Sequence, residues 1–289
     1  MFKEPYIRSY YEYNSKKMKK HLHFRAFVSI SLTVLLLFAF TSCDKEPVND
    51  RPDLPPVESL VMDFSDFDEQ PGGQKSTDSS YENFLHSYLS VFFWNVASTV
   101  TLALPVTAYG IALQQDPVYM GDNTWEWSFV VPFNNQNYTA TLTGSRINNE
   151  EFSMEMVIAF ALTPELGIKW FDGVVRYDHT HATWNLYKDG SLKVFEAEWN
   201  KDFETEDADL TYTYVEPGQN ETGSYIMLAY MPEEFYDAAY TISLAAGDTY
   251  IEWNTTTREG RVMDLVKFED SQWHCWETEA NGLMNKVCD

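Results

Sequence analysis

The sequence predicts a mainly β protein, an antiparallel up-and-down meander of about ten strands forming a curled sheet or barrel. One or two N-terminal apolar helices are expected to pack on or in it. Three observations carry that expectation. From Trp125 onward apolar and polar residues alternate, as with Trp125, Trp127, Phe129 and Val131 in "WEWSFVV", the period of a strand with one buried face. Turn-forming clusters such as "NNQN", "YKDG" and "EPGQNETG" separate these runs and leave no room for crossover helices. Upstream of them, residues 87–115 carry no charge.

In chain order, residues 1–42 read as a signal peptide. Lys16, Lys17, Lys19, Lys20 and Arg25 precede the uncharged "AFVSISLTVLLLFAF", which is shorter than the ~20 residues of a spanning helix. The tract before Met18 is foreign to such a signal, so Met18 is the expected true start. Phe40-Thr41-Ser42-Cys43 resembles a bacterial lipobox, with Phe40 where Leu is commoner. Cys43 is accordingly the expected lipidation site. Acyl chains contribute ~0.8 kcal/mol per buried CH₂, and stable anchoring takes more than one chain. Asp44, Lys45 and Glu46 then read either as a surface-export tract or as the start of a solvated linker. Proline, glycine and acidic residues dominate 43–79, which predicts a disordered tether.

Residues 80–117 form the expected apolar helical segment. Ser80 is a candidate N-cap with Asn83 three residues on. Phe84, Tyr88, Val91, Phe92 and Asn95 recur at helical spacing, and Pro105 is expected to break or kink the run, giving a helical pair. Length and apolarity would permit a membrane span. Asn95, Ser98, Thr99, Thr101, Pro105 and the anchor at Cys43 favour packing against the sheet instead. Residues 118–289 form the expected β domain. "FSMEMVIAF" alternates Phe152, Met154, Met156, Ile158 and Phe160 against Ser153 and Glu155, and comparable runs continue to Trp253.

The whole chain carries a net charge of −24, and removing 1–42 deletes more basic than acidic residues. A field of that sign repels nucleic acid, which is excluded as a partner. With Cys43 assigned to lipid, Cys275 and Cys288 remain. They could pair as a disulfide, worth ~3 kcal/mol for a loop of this size. The rival is a metal site with His274, which lacks the paired spacing zinc prefers.

"WFDGVVRYDHTHATWNLYKDG", "YIEWNTTTREGRV" and "FEDSQWHCWE", with the late Cys288, together resemble an uncharacterised family of Bacteroidetes-type outer-membrane lipoproteins. The likeness covers most of the chain beyond Trp125. It implies a β-rich extracytoplasmic domain with a C-terminal disulfide, and no activity. The expected localisation is the outer membrane, lipid-anchored, on its periplasmic or its surface face. In architecture alone, the pattern is similar to lipoprotein carriers whose curved sheet and helices enclose an acyl-chain cavity.

No catalytic motif is present: no G-x-S-x-G elbow, H-E-x-x-H helix or phosphate loop. "DHTHA" (178–182) offers His179 and His181 to a metal but sits where a hairpin turn belongs, and the turn is the expectation. No cofactor or metal is expected. Trp127, Phe129, Met154 and Met156 are the candidate ligand-binding wall, because thioethers repack around varied shapes. The same residues would equally serve a dry core. The leading expectation is a membrane-anchored envelope lipoprotein holding a lipid or other apolar molecule between sheet and helices. The alternative is a cell-surface module without a cavity, contacting protein or glycan.

Overall fold

The structure is a computed structural model and describes residues 51–67, 81–279 and 282–288. The expected signal peptide, Cys43 and Ser80 lie outside the described residues. Among the described residues, one long helix, α1 (Glu82–Ala112), precedes the strands. They are β1 (Val118–Gly121), β2 (Thr124–Phe133), β3 (Gln136–Arg146), β4 (Glu151–Phe160), β5 (Ile168–Arg176), β6 (His181–Tyr187) and β7 (Lys193–Lys201). There follow β8 (Ala208–Tyr214), β9 (Tyr225–Tyr230), β10 (Ala238–Leu244), β11 (Gly247–Trp253) and β12 (Gly260–Asp264). A short helix, α2 (Leu265–Phe268), leads to β13 (His274–Glu279) and β14 (Gly282–Lys286).

Every strand pairs antiparallel with the next, so spatial order equals chain order in one curled, unclosed sheet of 14 strands. The expected meander is present, as an open sheet. Four strands exceed the expected set. β1 is an exposed edge without alternation, and β12, β13 and β14 are short and carry polar residues. Asp122–Asn123 and Asn134–Asn135 hold positive φ angles, the geometry that tight β-hairpins need to match strand twist. Cys275 and Cys288 lie at disulfide distance, their Cα atoms 5.3 Å apart, clipping the chain's end to β13.

Alternation places Trp127, Leu142, Met156, Phe171, Trp184, Phe195, Tyr212, Ile226, Tyr240, Ile251 and Trp276 in one buried cluster on the concave face. Against expectation, residues 51–67 are no tether. They run through this core, with Leu60, Met62, Phe64 and Phe67 buried. An irregular buried segment cannot satisfy its own backbone groups, and the aromatic tips of the sheet and helix do so instead. Tyr212 Oη donates to Leu60 O (2.6 Å) and accepts from Met62 N (3.0 Å). Trp184 Nε1 donates to Ser59 O, Tyr240 Oη to Asp63 O and Tyr109 Oη to Pro55 O. Phe67 packs among Phe84, Tyr240 and Trp253. The richness in Trp and Tyr has this physical purpose: rings fill volume while their polar ends reach a threaded backbone.

Helix α1 continues unbroken through Pro105, one helix rather than a pair. It crosses the concave face. Near its start Asn83 Nδ2 donates to Cys275 O (2.8 Å) and Phe84 meets Trp276 edge-on. Trp94 contacts Phe195 midway, and Tyr109 meets Phe171 and Trp184 near the end.

His86 Nε2 pairs with Asp264 Oδ2 at 2.8 Å, fastening α1 to the cap of α2. Asp264 also accepts from Thr249 Oγ1 and from the N–H groups of Val266 and Lys267. Burial raises the Asp264 carboxyl, but the Lys267 N–H, Thr249 and His86 outweigh it and hold the pKa below the ordinary value. A carboxyl depressed in the fold adds stability above its unfolded pKa, about 3.9, and loses it as pH falls through the folded value. Asp264→Asn is expected to lower stability at neutral pH, with the gap to wild type closing below pH ~4. Denaturant titrations across that range check it.

Candidate ligand-binding site

A cleft of about 500 Å³ opens between the middle of α1 and the rim formed by β2–β5. Thr99, Val100 and Ala103 form its helix side, and Phe160, Leu166 and Trp170 part of its sheet side. Local structure explains the opening. The Asn134–Asn135 turn ends β2 at Phe133, which, like Asn134, borders the cleft. β4 and β5 shift register between Met156 and Val157, and such irregularities bend a strand locally. The β4–β5 connection then makes a short 3₁₀ turn, Pro164–Leu166. Tyr138 lies against Phe160 with ring centroids 5.0 Å apart, an aromatic floor.

Among the described residues, no carboxylate, lysine, arginine or histidine lines this cleft. It therefore offers no acid or base and no charge for orienting a polar substrate. Its chemistry is apolar burial, with Thr99, Thr101 and Asn134 as its polar border. A second cleft of about 380 Å³ shares Val100, Thr101 and Trp170 and adds Val96, Val194 and Phe195, with Lys188 and Glu216 at its edge.

Trp127, Phe129, Met154 and Met156 all face the core and are buried, and none lines the cleft beside α1. Trp127 Nε1 donates to Gln115 O just past α1, and the Trp127 ring and Pro52 both lie over Gly144. At Pro52 the threaded segment thus lies beside this wall. The cleft residues were legible only in part. Their signal is the apolar content of a turn, with Phe160, Leu162, Leu166 and Ile168 all exposed where polar residues are usual.

Of "DHTHA", Asp178–Thr180 lie in the expected hairpin turn, with His179 at φ 55°, whereas His181 and Ala182 already belong to β6. His179 Nε2 contacts Asp53 O, and His181 Nδ1 contacts Asn200 Oδ1 at 2.8 Å. Among the described residues no group of three or more His, Cys, Asp or Glu side chains is arranged to hold a metal ion.

On the convex face a polar groove of about 490 Å³ is bordered by Thr143, Ser145, Ser153, Glu155, Asp172 and Asn185. Asp172 accepts from Lys169 Nζ (2.6 Å), Asn185 Nδ2 (2.6 Å) and Tyr187 Oη (2.9 Å). Burial raises its carboxyl, while the bonds from Lys169, Asn185 and Tyr187 prevail and lower it. It is held ionised and occupied.

No known protein family, curated protein or solved structure matches this chain.

Proposed function

We propose that the chain is a lipoprotein of the outer membrane, anchored through Cys43, that holds a lipid or other hydrophobic molecule in the cleft between α1 and the β2–β5 rim. The observation supporting this reading is the uncharged, largely apolar lining of a cleft about 500 Å³ in size, within the range typical of small-molecule sites. Affinity would come from burial of apolar surface at ~25 cal/mol per Å². Admission would need only small movements of the exposed Val100 and Leu166 side chains.

The test is native mass spectrometry of the purified chain, followed by titration with fluorescent fatty acids. A co-purifying hydrophobe and saturable uptake are expected. Ala103→Trp, which fills the cleft from the helix side, is expected to weaken uptake by about tenfold, or ~1.4 kcal/mol. An empty spectrum with no uptake would end the proposal. A second reading, a glycan- or protein-contact module, is favoured by the polar groove on the convex face. It predicts binding that Asp172→Ala abolishes and Ala103→Trp leaves intact.

A further inference from the structure

A helix that is apolar all round belongs in surroundings that are apolar all round. α1 meets that condition on one side only. Its inner face packs on the sheet, while Leu89, Phe92, Phe93, Val96 and Val100 stand outward at helical spacing and are exposed. Val100 is 79% exposed, Phe93 57% and Leu166, across the cleft, 65%. Val100 and Leu166 border the same cleft, and Val96 and Val100 the neighbouring one. The stripe and the β4–β5 turn therefore make one largely apolar face, into which both clefts open, with Lys188 and Glu216 at the edge of the second.

We infer that this face seats on the surface of a neutral bilayer, with Phe93 and Leu166 entering the acyl-chain boundary. Charge selects this occupant. A chain with a net charge of −24 repels a second copy of itself and anionic lipid headgroups, whereas a zwitterionic surface imposes no such cost. Residues 87–115 contribute no charge to the face, and Glu165 is the single acid in the β4–β5 connection 161–167. Distance agrees. Eight residue steps separate Cys43 from Arg51, a span of at most about 29 Å fully extended. Arg51 pairs with Asp116 just beyond the end of α1, so an anchor at Cys43 would hold that end of the helix within reach of a bilayer. The inference rests on the proposed anchor for this nearness, and it does not depend on what the clefts hold. It adds a route: a hydrophobe could pass between bilayer and cleft without crossing water.

The test uses the full chain, reconstituted with phosphatidylcholine vesicles whose acyl chains carry bromine. An environment-sensitive label is placed singly by Phe93→Cys, Leu166→Cys or, on the convex face, Thr211→Cys. Labels at 93 and 166 are expected to be quenched several-fold more than the label at 211. Equal quenching at all three sites in vesicle-bound chain would overturn the inference. So would failure to float with vesicles, or a two-copy particle in which the label at 93 is already shielded without lipid. Intact mass at Cys43 separates the cases. An acylated chain that floats without selective quenching keeps the anchor and loses the face. An unmodified chain that floats and is quenched loses the anchor and keeps the face.

Discussion

Tyr212→Phe is expected to destabilise the protein by about 2–4 kcal/mol, a large effect for the loss of one oxygen. That hydroxyl joins two backbone groups of the threaded segment, accepting from Met62 N and donating to Leu60 O, with all three residues buried. Phenylalanine keeps the ring and leaves a donor and an acceptor without water or partner. Each such buried orphan costs roughly 1–3 kcal/mol. Equilibrium denaturation of the variant beside Tyr138→Phe, whose hydroxyl donates to the exposed Gln136 side chain, separates this from a generic effect. If both variants unfold at the wild-type midpoint, the threaded segment contributes little to the native state.

Gly260→Ala is expected to cost about 3 kcal/mol or more, or to abolish folding. An added Cβ would stand 2.2 Å from Trp276 Cζ2 and 2.6 Å from Glu252 O. Neither neighbour can yield. Trp276 is fully buried, its Nε1 donates to Arg258 O, and its ring meets Phe84. The Glu252 carbonyl belongs to β11, which pairs with β12 through Arg261. Gly110→Ala is the control, because nothing lies within 4 Å of its added carbon. There the lower unfolded-state entropy and better helix propensity should stabilise by roughly 0.5–1 kcal/mol. Soluble, wild-type-like Gly260→Ala protein would contradict the packing described between β12 and β13.

The meander was legible because concave residues recur at period two over long strands such as β2 and β4. Strands β12–β14 were not, since "GRVMD", "HCWETE" and "GLMNK" bury few aliphatic side chains and are held by pairing and by the cysteine clip. The threaded segment was hidden by its composition. Asp53, Glu58, Asp63 and Asp66 give 51–67 the look of a solvated linker, yet Leu60, Met62, Phe64 and Phe67 between them are core residues. That interleaving was the readable signal. For the candidate wall, the shared buried face was legible, while the cleft beside α1 is lined by other residues. Trp127 and Met154 share one buried face, but sequence alone cannot tell that Pro52 comes to lie beside Trp127 over Gly144.

The segment lodged beneath the sheet lies near the chain's beginning, while its hydrogen-bond partners Trp184, Tyr212, Tyr240 and Trp253 are made far later. Neighbouring strands can zip as soon as each pair is available, because every pairing is between successive strands. The early stretch cannot. Its greasy side chains find their full shelter only once strands as distant in sequence as the one bearing Trp253 have joined the sheet, the slow kind of contact to form.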